Sequence, residues 1–139
     1  MSDIKLVQEW LRHSNNNLIV AHHSFYDLYP KQIEIACYLC QQCAETALKA
    51  CLVFFGIEPP RTHNLVELCN LCIEQDNDYS EIKEHCARLT PYGVETRYPN
   101  ELAVDEIIAE QAIVMAKKVY DFCTVKITND KTIEQSTLS

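Results

Sequence analysis

Three short stretches carry side chains whose types and spacing could do chemistry. Gln42, Glu45 and Lys49 lie at i, i+3 and i+7, which on a helix is one face over two turns. They could present an amide, a carboxylate and an ammonium to a groove or a partner, and a lysine ammonium is a point-charge binder of phosphate. The same spacing also suits a solvated stripe with an intrahelical Glu45–Lys49 pair. Arg61-Thr62-His63-Asn64 stands where a helix should begin, and free N–H groups there favour anions. Arg61 and His63 are therefore candidate phosphate or partner contacts, while Thr62 or Asn64 would cap. Arg97-Tyr98-Pro99 is the third stretch. Pro99 restricts Tyr98 to extended backbone, which could aim Arg97 at a phosphate or carboxylate in bidentate fashion. Arg97 holding a loop to a carboxylate of the fold is the plainer alternative.

Eight cysteines include Cys37-x-x-Cys40-x-x-Cys43 and Cys69-x-x-Cys72, and two CxxC pairs invite a zinc reading. All five thiols fall on apolar helix faces, however, where cysteine is an ordinary small core residue. Free thiols in a reducing compartment are expected, with no metal and no cofactor. No catalytic site is read at His22-His23.

The elements that must position these residues are helices. Only two of the 139 residues are glycine, so phosphate-binding glycine loops cannot be written and a hairpin-rich fold is disfavoured. With 47% hydrophobic and 23% charged residues, the chain has a globular composition. Its net charge of −8 speaks against broad nucleic-acid binding through clustered Lys and Arg. No apolar run approaches the ~20 residues that span a bilayer, and the N-terminus does not read as a secretory signal. A cytoplasmic location is expected.

Ile4, Val7, Leu11, Ser14, Leu18, Ala21 and Phe25 form a 3-4 seam on a first helix, with Trp10 off it. A second helix runs from Gln32 to Phe55, with Gly56 as its C-terminal cap and Pro59-Pro60 beyond. Its one polar stripe holds Glu34, Gln41, Gln42, Glu45, Thr46 and Lys49; such a helix is buried on most sides. A third helix starts at Thr62 or Asn64, where Asn64 and Glu67 make a capping-box pattern. A fourth opens at Asp78-x-x-Glu81 and stops at Pro91, and a fifth is expected to start at Asn100. The fold class is all-α: an up-down bundle of about five helices over residues 1–127, with a polar tail over 128–139.

Three motifs in order resemble the HEPN domain: the Ala- and Cys-rich helix 36–53 with Gln42, Glu45 and Lys49, the Gly56…Pro60-Arg-Thr-His-Asn-Leu65 junction, and Arg97-Tyr98-Pro99. The resemblance implies a helical bundle, usually a homodimer, often paired with a minimal nucleotidyltransferase and proposed to bind nucleotides. Many relatives are metal-independent ribonucleases, frequently toxins, with an Arg followed after four to six residues by a His. None of Arg12, Arg61, Arg88 and Arg97 has a His five to seven positions on. The expected function is a binding module that contacts a nucleotide or a nucleotidyltransferase partner through Gln42, Glu45, Lys49, Arg61, His63, Arg97 and Tyr98, as in a toxin–antitoxin pair. A divergent ribonuclease is the alternative reading, and a purely structural bundle the second.

Overall fold

The computed structural model describes residues 3–94 and 103–129. Among them are five α-helices: α1 Ile4–Tyr26, α2 Ile33–Phe54, α3 Leu65–Gln75, α4 Lys83–Leu89 and α5 Glu106–Thr128. Two 3₁₀ turns, Asn77–Ile82 and Thr90–Tyr92, flank α4. No strand occurs among the described residues, and the all-helical bundle expected from the periodicity is what the chain forms.

Helix α2 is the hub, packing against α1, α5, α3 and α4. Its composition explains why. Ala36, Cys37, Cys40, Cys43, Ala44, Ala47, Ala50 and Cys51 are all buried, and these small side chains let neighbouring helices approach closely. Leu48 and Leu52, with no exposed surface, fill the space between. The α1 seam faces α2 as its spacing requires: Val7, Ser14, Ala21 and Phe25 are buried. Ser14, the polar member of that seam, donates its hydroxyl to the Cys43 carbonyl at 2.7 Å, which satisfies a buried donor. All eight cysteines are free and buried.

The ends of α2 and α3 follow from local chemistry. Gly56 takes φ +79°, a left-handed conformation that favours glycine. Its N–H bonds the Val53 carbonyl and the next N–H, of Ile57, bonds that of Leu52, closing α2 as a Schellman motif. Asn64 caps α3, its Oδ1 accepting from the N–H groups of Val66 and Glu67. The reciprocal half of the expected capping box is replaced. Glu67 accepts from the Thr62 hydroxyl at 3.0 Å, and that hydroxyl takes the Asn64 N–H.

Two expectations shift. The segment after Asp78 enters α4 through a 3₁₀ turn, in which Tyr79 and Ile82 point into the core. The last helix begins at Glu106, where Asp105 in extended backbone accepts the Ile108 N–H at 2.8 Å. Asn100, the expected cap, lies outside the described residues, as do residues 130–139 of the expected tail.

Lys126 ties α5 to the first 3₁₀ turn, with its Nζ donating to Asp76 at 2.8 Å and also to Asp78. That hydrogen bond holds the Asp76 carboxyl below its ordinary value and raises Lys126. A carboxyl lowered by folding stabilises above its unfolded value of about 3.9 and loses that contribution as pH falls through its folded value. Asp76→Asn keeps an oxygen for the Asp78 N–H but removes the charge. Its stability deficit in urea titrations should be constant through neutral pH and shrink below about pH 4. A deficit that does not change down to about pH 2 would mean the pair is not formed.

Candidate functional site

Five polar side chains meet where α2 passes the α2–α3 connection. Glu45 is the centre, and its side chain is only 6% exposed. Its Oε2 accepts from Lys49 Nζ at 3.1 Å, one helical turn on. Its Oε1 accepts from His63 Nδ1 at 2.8 Å and from Gln41 Nε2 at 3.2 Å. Gln41 Nε2 also donates to the His63 carbonyl at 2.9 Å, and Gln41 Oε1 accepts from Gln42 Nε2 at 2.8 Å. A carboxylate that must be buried is thus met by an ammonium, an amide and an imidazole, which offset its desolvation.

The two basic groups around Glu45 differ in access. The Lys49 side chain is 12% exposed, and its Nζ lies 5.6 Å from the ring centre of Trp10 on α1, a cation–π distance. The His63 side chain is 74% exposed. A carboxylate only accepts hydrogen bonds, so the contact places a proton on Nδ1. In neutral His63 the unprotonated nitrogen is then Nε2, the one not tied to Glu45.

The solvated-stripe reading of α2 does not hold at its centre: Gln41, Glu45 and Thr46 are buried. Among the described residues, those bonded to Glu45 are Gln41, Lys49 and His63; Arg61 is exposed in the same connection and is not one of them. Arg97 and Tyr98 lie outside the described residues. The start of α3 offers fewer free donors than its position suggests. Val66 and Glu67 give their N–H groups to Asn64, and Leu65 gives its own to the Thr90 hydroxyl at 3.2 Å.

From the sequence, Gln41 is placed on the polar stripe but not in the site, and Trp10 is read as a helix–helix or subunit contact, not as a neighbour of Lys49. Gln41 sits on the same stripe as Glu45 at i and i+4, which was a usable signal. The approach of Trp10 to Lys49 crosses two helices and leaves no local trace. A groove of about 700 Å³ between Asn77–Glu81 and the Asp121–Lys126 stretch of α5 shares no residue with the cluster. No group of three or more His, Cys, Asp or Glu among the described residues is placed to hold a metal, and no helix among them is long and apolar enough to cross a membrane.

The sequence model of the HEPN domain matches residues 7–127, which reaches from α1 into α5. The chain belongs to the HEPN family. Two solved structures share this HEPN fold. TT1696 from Thermus thermophilus is 27% identical, with a TM-score of 0.74 over 86% of this chain and 97% of that one. ST0689, an archaeal HEPN homologue, is also 27% identical, with a TM-score of 0.68 over 87% and 97%. No curated protein matches the chain significantly. The Gln41–Glu45–Lys49–His63 cluster lies within the matched HEPN region.

Proposed function

We propose that this HEPN domain is a binding module that contacts the phosphate of a nucleotide, or a nucleotidyltransferase partner, with His63 as the leading contact group. One observation carries the reading: an exposed imidazole is held by a nearly buried carboxylate. An unconstrained surface histidine would lose rotamer freedom on meeting a ligand. Here Glu45 has already fixed the ring, with Nε2 free to meet an anion when protonated. Lys49 compensates Glu45, so a phosphate approaching His63 does not face an unpaired negative charge. Association as a homodimer, and pairing of toxin–antitoxin type, belong to the same proposal.

Thermal unfolding with a panel of nucleotides tests it. A ligand at a hundred times its Kd stabilises by about 2.7 kcal/mol, or roughly 8–11 °C for a domain of this size. The shift should vanish in His63→Ala, which leaves Glu45 its bonds from Gln41 and Lys49. A flat panel would sink the nucleotide reading.

The same pair favours one second reading. An imidazole oriented by a carboxylate is equipped for general acid–base catalysis, as a divergent ribonuclease requires. Short RNAs in the panel separate the two. RNA cleaved by the wild type and left intact by His63→Ala would establish the enzyme, and intact RNA throughout would remove it.

A further inference from the structure

Gly93 follows the second 3₁₀ turn, and its φ of −76° suits any residue. Glycine is required there for another reason. A Cβ at this position would stand 2.8 Å from Gln41 Cδ, 3.0 Å from its Nε2 and 3.2 Å from its Oε1. Side-chain amides usually swing out of such a conflict, but this one is held. Gln41 is fully buried, and its Nε2 serves both Glu45 and the His63 carbonyl while its Oε1 receives Gln42. Flipping the amide would set Oε1 against a carboxylate and a carbonyl, two acceptors. Translating it would break the bonds to Glu45 and His63 together. The turn at Gly93 is therefore the wall against which the amide is pressed.

The geometry assigns Gln41, backed by Gly93, as the positioning residue of His63: it ties the His63 backbone and the Glu45 carboxylate to one amide, so that neutral His63 keeps its proton on Nδ1 and leaves Nε2 unprotonated. This rests on the reading of His63 as the contact group and adds how its free nitrogen is selected. The amide acts through Glu45 and the backbone and does not itself reach a ligand.

The tautomer of His63 is the readout, and it needs no ligand. Long-range proton–nitrogen correlation spectra of the ¹⁵N-labelled full chain, at about pH 8.5 where imidazoles are neutral, should show the Nδ1–H form of His63 in excess. A hydrogen bond to a charged acceptor supports a preference of about tenfold or more. Gly93→Ala and Gln41→Ala should each reduce that excess to a mixture of tautomers while the backbone spectrum stays that of the folded protein. Gly93→Ala should add nothing in the Gln41→Ala background, where the amide it would displace is gone. Wild-type His63 carrying its proton on Nε2 would overturn the assignment whether or not either variant folds. So would folded variants that keep the Nδ1–H form. A flat nucleotide panel alongside a wild-type Nδ1–H tautomer would sink the ligand reading alone.

Discussion

Glu45→Ala should lower the melting temperature by about 10–20 °C. The substitution empties the space of a methylene and a carboxylate, but the larger cost is electrostatic. It leaves Lys49, whose side chain is 12% exposed, with a charge and no carboxylate, and it strips a partner from the buried Gln41 amide. Removing one member of a buried ion pair costs about 3–5 kcal/mol. At roughly 3–4 °C per kcal/mol for a domain of this length, that is about 10–20 °C. The partner substitution should cost less. Lys49→Met keeps an unbranched chain against Trp10, and Glu45 still receives hydrogen bonds from Gln41 and His63. The double variant Glu45→Gln, Lys49→Met should recover much of the loss, because neither unpaired charge remains. A drop of less than about 5 °C in Glu45→Ala would mean that the carboxylate is hydrated in solution and that the cluster is looser than its distances imply.

The eight thiols should be protected from a thiol reagent such as DTNB by at least about three orders of magnitude relative to the unfolded chain. Every cysteine is buried and free, and the thiolate is the reactive form. Burial pushes the Cys43 thiol up to about 12 and raises Cys40 and Cys72 well above the ordinary thiol range. Reaction must then wait for an opening that brings the sulfur to water. Because the cysteines sit on α2, α3, α4 and α5, that opening should be close to global. All eight should react with one slow rate, which rises with urea in step with unfolding. One or two thiols reacting fast in native buffer would identify a part of the bundle that opens by itself.

Most of the fold was legible because its signals are local. The 3-4 seam of α1, the single polar stripe of α2, Gly56 and the Asn64 cap each announce an element within a few residues. The start of α5 was read too early, since both Asn100 and Asp105 suit a cap and sequence does not say which one the helix uses. The 3₁₀ entry to α4 was missed because Tyr79, Ile82, Cys86 and Leu89 fit a helical face equally well. The site divided in the same way. Gln42, Glu45 and Lys49 could be named from spacing on one helix, and His63 from its place in a junction. The contact between Glu45 and His63 spans 18 residues and depends on how the α2–α3 connection folds back. The burial of Gln41 depends on the turn at Gly93, far along the chain. Neither leaves a periodic signature.

The cluster is mounted on the helix that every other helix packs against. Glu45 and Gln41 therefore became ordered when the protein folded, and their rotamers are not set free between encounters. Immobilising a long side chain at an interface ordinarily costs about 0.5–1.5 kcal/mol. A ligand or partner docking against His63 would meet that cost for few of the groups behind it. Selectivity at such a site comes from stiffness: a molecule of the wrong shape finds little give in the wall, because moving Glu45 means moving the centre of the bundle.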